Sequence, residues 1–241
     1  EAVDLARAEF TTLHNRYAKT PQAIEAEFGI GETFMEQKVY DQAEQTFERL
    51  AGSRDRDVVI RAEFLRGVLA SRRGDRDEAR AIWRLADALG IGRFALVTGG
   101  SLGGMISLEV ALERPHAVRH VVPIGAPAAT GPMAIAWNHI QLGIIERLGH
   151  EGLSLARQLA MTTYRSTADF DGRFGRHVQD DGRFSVVSYL DHQGGKILDR
   201  FDPDTYRVLV RVMDGHDVGR DRGGIVEAFR ALAEAGAGLT G

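Results

Sequence analysis

Apolar residues in the first third of this 241-residue chain recur at three- and four-residue intervals. No stretch before about residue 87 alternates as a strand would. The helical pattern breaks at Thr20-Pro21, Gly52-Ser53 and Gly74-Asp75. Thr20-Pro21 predicts a helix start, with proline near the first turn. The pattern changes after Trp83. Leu89-Gly90-Ile91-Gly92 closes a helix on glycine. Residues 95–98 then read as a short buried strand, and a helix opens at about Gly103 with Met105, Leu108 and Leu112 on one face. Arg114-Pro115 stops that helix, and residues 119–124 read as a second buried strand. Strand, helix and strand within about 30 residues predict a right-handed parallel crossover. Beyond it the pattern is helical again, over residues 134–148, 153–163 and 186–200. Asp202-Pro203 caps and opens a further helix through Val212, and Gly223-Gly224 precedes a last one over 225–235. No element is predicted for the glycine-rich end, 236–241.

Two helix pairs in the first third look alike. Gly31, Phe34, Ala43 and Phe47 have the same separations as Gly67, Ala70, Ala79 and Trp83, offset by 36 residues. The packing reason is that small residues let the two helices of a pair approach, while the aromatic fills the groove of the next unit. The pattern resembles the tetratricopeptide repeat, whose period is about 34 residues. A weaker helix over 2–18 would be the tail of a preceding repeat. The resemblance implies a concave peptide-binding face and a protein partner. A stack of hairpins that only packs is the other reading. The mixed-sign runs Asp55-Arg56-Asp57 and Arg72-Arg73-Gly74-Asp75-Arg76-Asp77-Glu78 read as solvated surface between helices.

Composition narrows the chemistry. Apolar residues make up 44% and charged residues 27%, ordinary for a chain that buries a core. There is no cysteine, which excludes disulfides, zinc–thiolate sites and a cysteine nucleophile. The net charge of −4 gives no basic surplus for a nucleic-acid partner. No apolar run reaches the roughly 20 residues of a membrane span, and no basic-then-apolar leader opens the chain. A cytoplasmic location is the expectation. No His or Asp grouping has metal-site spacing, so no metal is expected.

Between the first predicted strand and its helix lies Gly99-Gly100-Ser101-Leu102-Gly103, a G-x-S-x-G match in the strand–turn–helix context of a nucleophile elbow. Side chains at 99 and 103 would collide as strand and helix close up, so glycine belongs there. Ser101 would be the nucleophile and the Leu102 N–H an oxyanion donor. A structural glycine-rich turn is the plainer alternative. A dinucleotide or phosphate loop is disfavoured, because there is no G-x-G-x-x-G and no Lys-Ser or Lys-Thr pair after the glycines.

Several motifs in register carry a family resemblance. Gly99-Gly100-Ser101-Leu102-Gly103-Gly104-Met105, Val122-Pro123-Ile124, Ala134-Ile135-Ala136-Trp137-Asn138, Thr163-Tyr164-Arg165-Ser166 and Phe174-Gly175-Arg176 are five of them. Tyr189-Leu190-Asp191-His192-Gln193-Gly194 and Met213-Asp214-Gly215-His216-Asp217-Val218-Gly219-Arg220 complete the set. Over about residues 84–230 the chain resembles the homoserine O-acetyltransferases, which have the α/β-hydrolase fold with a helical lid. The resemblance implies acetyl transfer from acetyl-CoA, as co-substrate rather than bound cofactor, to the hydroxyl of homoserine or serine, on the way to methionine. It implies substrate binding by Arg157 and Tyr164 of the lid. Their seven-residue spacing, close to two helical turns, puts them on one face. An arginine fork suits a substrate carboxylate. It also implies a homodimer through the lid.

The chain departs from the family at two places. The stretch between Asn138 and Tyr164 is short, and Leu142 stands where arginine is expected. The triad order of this fold is Ser, then Asp or Glu, then His, with the last two beyond the lid. This chain ends soon after the lid. His116 and His120 flank the second strand, and His139, His150, His177, His192 and His216 fall in the lid. His216 with Asp214 or Asp217 belongs to a lid motif and is not expected to replace the triad.

The expected fold is mainly α with a small parallel β component. Residues 1–87 would be a tetratricopeptide-like helical region and 88–241 a partial α/β-hydrolase. The latter divides into elbow strand-helix-strand 93–127, helical lid 128–222 and returning helix 223–236. The expected function is a homoserine O-acetyltransferase-like, ping-pong acyl transfer, incomplete and inactive in this chain taken as a fusion joined near residues 82–84. A repeat-type protein-binding module and a serine hydrolase are the alternatives. With one sequence-evident neighbour, the elbow strand should have an exposed edge.

Overall fold

In a computed structural model, which describes residues 2–18, 20–73 and 78–241 (side chains of 71–73 and 78 excepted), helices dominate from the start. Ala2–Arg16 (α1), Pro21–Glu36 (α2), Tyr40–Ala51 (α3), Arg56–Arg73 (α4) and Glu78–Leu89 (α5) pack each on the next. Thr20 is the extended N-cap of α2 and Pro21 its first residue. The Gly74-Asp75 break and residues 74–77 of the charged run lie outside the described residues, as do the side chains of 72, 73 and 78. Gly31 shows why a small residue sits in α2: a Cβ there would lie 2.5 Å from the Phe47 ring of α3. Phe47 in turn is fully buried among Phe28, Ala43, Ala62, Leu65 and Leu69, which join α2, α3 and α4. Glu63 is buried between Arg66 (2.9 Å) and Arg84 (2.9 Å), and Arg66 also pairs with Glu44. Burial works against the Arg66 charge, but its two carboxylate partners outweigh it and hold the guanidinium above its ordinary value.

The chain divides into two units, residues 1–128 with 217–241, and residues 129–216. In the first, a three-stranded parallel sheet has the order β1 (Val97–Gly100), β2 (His120–Ile124), β3 (Gly238–Leu239). The register pairs Val97 with Val121 and Gly100 with Ile124. β1 runs two residues later than the sequence pattern suggests. Phe94 pairs with Val118 in an isolated bridge and the chain bends at Ala95, so the regular ladder begins at Val97 and extends up to the turn. The helix α6 (Leu102–Glu113) and a single turn Pro115–Ala117 make the crossover back to β2. β3 is absent from the sequence reading. Two residues are too few for a periodicity, and their partner strand lies more than 100 residues earlier. Gly238 is there because a Cβ would lie 2.4 Å from the His120 ring.

Val97 and Val121 face a core formed with Leu108, Ala111 and Leu112 of α6, Trp83 of α5, Val118 and Val218. Ala228 and Leu232 of α12 (Ile225–Glu234) complete it. The second unit holds α7 (Pro132–Leu148), α8 (His150–Thr163), α9 (Thr167–Phe174), α10 (Ser185–Leu198) and α11 (Pro203–Asp214). Ile145, Leu153, Ala156, Ile197, Tyr206 and Val210 are its core. α9 is a further helix the sequence pattern passes over. It is eight residues long, buries none of them, and starts on a Ser166 side chain that accepts the Asp169 N–H.

Candidate active site

β1 ends at Gly100 and α6 begins at Leu102, so Ser101 alone turns the chain from strand to helix. It does so at φ 53° and ψ −121°, a region that L-residues rarely occupy. Three contacts fix the corner. The Ser101 N–H donates to the Ile124 carbonyl at the end of β2 (2.8 Å), and its own carbonyl accepts from Gly104 (2.8 Å) and Met105 (3.1 Å) in the first turn of α6. The glycines make the closure sterically feasible. A Cβ on Gly99 would lie 2.4 Å from the backbone of Gly103, and one on Gly104 would lie 2.7 Å from Ala126. Gly103 itself is open, with no atom within 4 Å of a Cβ. The collision expected at 103 therefore falls on 99 and 104, because the helix backbone, not a side chain, meets the strand.

The side chain of Ser101 is exposed at this corner. Leu102 is the first residue of α6, so its N–H has no acceptor four residues back within the helix. The helix also directs its positive end at the corner. Among the described residues of this unit, His120 opens β2, whereas Ser101 sits beside Ile124, which closes it. Four strand residues, about 13 Å, separate those two levels. His116 lies still earlier, in the turn before β2. Neither imidazole reaches the serine.

The second unit carries the other two site candidates. Arg157 lies on α8 and Tyr164 caps its C-terminus. The expected shared face is realised: an Arg157 Nη1–H donates to the Tyr164 hydroxyl at 3.5 Å, and the guanidinium lies 5.5 Å from the Tyr164 ring centroid.

Next to this pair runs a polar chain that the sequence reading missed. The Tyr206 hydroxyl donates to Gln141 Oε1 (2.5 Å), Gln141 Nε2–H to Asn138 Oδ1 (3.2 Å), and Asn138 Nδ2–H to Asp214 Oδ1 (2.6 Å). It ties α7 to α11 through buried groups, with Gln141 4% and Tyr206 9% exposed. Burial, and then the neighbouring Tyr164 hydroxyl, push the Tyr206 phenol up to about 12, against the pull of Arg157. The available signal was the three-residue spacing of Asn138 and Gln141, which puts two amides on one helical face.

A family model for the alpha/beta hydrolase fold matches residues 65–182. Homoserine O-acetyltransferase of Leifsonia xyli is 43% identical over 177 residues, covering 64% of this chain and 44% of that protein. The Thermus thermophilus homoserine O-acetyltransferase is 44% identical over 165 residues, covering 65% and 42%. The solved homoserine O-acetyltransferase of Staphylococcus aureus superposes with a TM-score of 0.57 at 35% identity, over 68% of this chain and 47% of that one. This chain thus spans about half the length of the curated relatives it matches. A strained serine on a glycine-lined strand–helix corner, a parallel crossover beneath it and this degree of identity agree: over the matched part the chain has a partial α/β-hydrolase core and is similar to the homoserine O-acetyltransferases.

Proposed function

We propose that the chain carries the acyl-accepting half of an acyltransferase site. Ser101 would attack the thioester carbonyl of acetyl-CoA, its Oγ–C bond forming as the C–S bond breaks and its proton passing to the departing sulfur, so that the free thiol leaves. The Leu102 N–H would hold the developing oxyanion. The hydroxyl of homoserine, or of serine, would then take the acetyl group from Ser101 in a second step. Arg157 would fork the amino acid's carboxylate, and Tyr164 would orient the guanidinium. The observation that carries this reading is the backbone of Ser101, a residue with a side chain held at φ 53° on the strand–helix corner, where glycine would be less strained.

Neither His116 nor His120, which flank β2, reaches Ser101, so turnover by this chain alone should be slow. Loss of triad partners costs about 10⁴ to 10⁶ in kcat. The test is therefore a single acylation event. Incubation with p-nitrophenyl acetate should release p-nitrophenol in stoichiometric burst and leave one acetyl group on the peptide that contains Ser101. Ser101→Ala should abolish both. Acetylation elsewhere, or an unchanged burst in the variant, would refute the role. Acetate rather than O-acetylhomoserine as end product would make the protein a serine hydrolase.

A second reading, a protein-binding module, has its own observation. An apolar groove of about 540 Å³ opens among α1, α2 and α4, lined by Phe10, Met35, Phe64, Leu65 and Val68, with Phe64 55% exposed. An apolar peptide side chain would fit it. Peptide capture unaffected by Phe64→Glu would remove that reading.

A further inference from the structure

The groove among α1, α2 and α4 has a size, a charge and a set of polar groups that together define what can fill it. α2 lines it with Gly29, Glu32, Thr33 and Glu36, at i, i+3, i+4 and i+7, which is one helix face over two turns, or ~11 Å. Phe10 of α1, Met35 of α2 and Phe64 of α4 supply apolar surface around its volume of about 540 Å³. Phe64 keeps 55% of its surface in water, so a guest that covers it gains the free energy of burying a ring.

The charge is of one sign. Among the described residues that line the groove, Glu32 and Glu36 are the charged ones, and α2 as a whole carries Glu25, Glu27, Glu32 and Glu36 with no lysine or arginine. Glu36 ends the helix and Glu32 lies one turn before it. A helix C-terminus is itself negative, so a cation set beside these carboxylates is favoured twice over. Arg61 of α4 lies 3.6 Å from Glu32 but holds Glu25 more closely, at 2.7 Å, so one guanidinium serves two carboxylates. The same lining offers little to a guest's backbone. The helices spend their N–H and C=O groups internally, and the Thr33 hydroxyl donates to the Ile30 carbonyl at 2.7 Å. An extended peptide would press unpaired amides against apolar side chains, whereas a helix arrives with its backbone already satisfied.

We propose that this groove docks a basic amphipathic helix of a partner protein. About two turns of that helix lie in the groove. Its apolar side chains, at i, i+3 or i+4 and i+7, pack on Phe10, Met35 and Phe64. Lysine or arginine at its edge faces Glu32 and Glu36. The inference rests on the protein-binding reading of the groove and names that partner's chemistry; it makes no use of Ser101.

The probes are three synthetic peptides of ~18 residues, or five helical turns, offered to the full chain. The first sets leucine at i, i+3, i+4 and i+7 and lysine elsewhere. The second replaces every lysine by glutamate. The third has the composition of the first in an order that scatters the leucines. By isothermal titration calorimetry the Leu/Lys helix is expected to bind one-to-one, at least tenfold tighter than either of the others, and to gain helical circular dichroism. Glu32→Gln with Glu36→Gln should weaken it about tenfold. Glu146→Gln with Glu151→Gln, which removes the same charge from the second unit, should not. Glu32→Lys with Glu36→Lys should invert the preference in favour of the Leu/Glu helix. Phe64→Ala, a change at an exposed ring, should weaken the Leu/Lys helix at least tenfold while the free variant keeps the parent's circular dichroism. No binding of the Leu/Lys helix, or binding indifferent to charge reversal at Glu32 and Glu36, overturns the proposal. Equal binding of the ordered and scattered peptides, still lost in Phe64→Ala, refutes the amphipathic helix and keeps the protein-binding reading. If none of the three binds in a way that Phe64→Ala diminishes, that reading falls as well.

Discussion

Ser101 occupies a backbone conformation that costs of order 1–3 kcal/mol for a residue with a side chain. Nothing in the sheet or in α6 requires a hydroxyl there; the corner requires only the turn. Stability and chemistry therefore compete at this position. Ser101→Gly should stabilise the chain by about 1 kcal/mol, read as a higher urea midpoint, while abolishing acetylation by p-nitrophenyl acetate. Ser101→Ala should abolish acetylation without that gain, because alanine keeps the Cβ. A glycine variant no more stable than the parent would mean that the strain is absent. The serine itself was legible from G-x-S-x-G between a strand and a helix. The polar chain from Tyr206 to Asp214 was not, because it joins α7 to α11 across more than 60 residues.

At the scale of elements, helix ends were the most legible feature, since caps are local chemistry. Asp202 and Pro203 open α11 as read from the sequence, with the Asp202 carboxylate accepting the Thr205 N–H (2.9 Å) and the Thr205 hydroxyl (2.5 Å). These two donors, the hydroxyl first, hold the Asp202 carboxyl below its ordinary value of 3.8. A carboxyl depressed in the folded state contributes its stability above the unfolded pKa and loses it as pH falls through the folded one. Asp202→Ala should therefore cost about 1 kcal/mol at pH 7. The gap between parent and variant should narrow only below about pH 4. Thermal unfolding at pH 7, 5 and 3 would check it, and a gap constant across that range would show that the carboxylate charge is not involved. Strand ends were less legible. The bend at Ala95 displaced β1, and β3 has no pattern of its own.

At the scale of the whole molecule, Trp83 is the residue whose role the sequence understated. Repeat spacing marks it as a groove filler, and the structure gives it a specific groove. It is 1% exposed, its ring centroid is 4.8 Å from that of Phe94, and Arg114 lies over it while forking Asp87 at 2.7 Å through both nitrogens. Its indole N–H donates to the Val110 carbonyl at 2.9 Å, within the last four residues of α6, where helical carbonyls lack partners. Trp83 thus ties α5 to the helix that follows Ser101. Trp83→Ala should cost about 3–5 kcal/mol through the cavity and lost contacts. Trp83→Phe should cost about 1–3 kcal/mol, chiefly by leaving that carbonyl unsatisfied. Chemical denaturation followed by far-UV circular dichroism would separate the two. If both variants matched the parent, α5 would not be part of the same core.

What the sequence determined by itself was local: the helical periodicity, the capped and glycine-closed helix ends, the crossover and the serine on its corner. Each depends on residues within one or two turns of one another, so spacing alone encodes it. Tertiary structure decided which strand lies at the edge of the sheet, that a two-residue strand 118 positions beyond its partners in β2 completes the other side, and that Trp83 docks on α6. Those depend on which surfaces meet after the chain has folded back, and hydrophobic period carries no record of the partner a face will find.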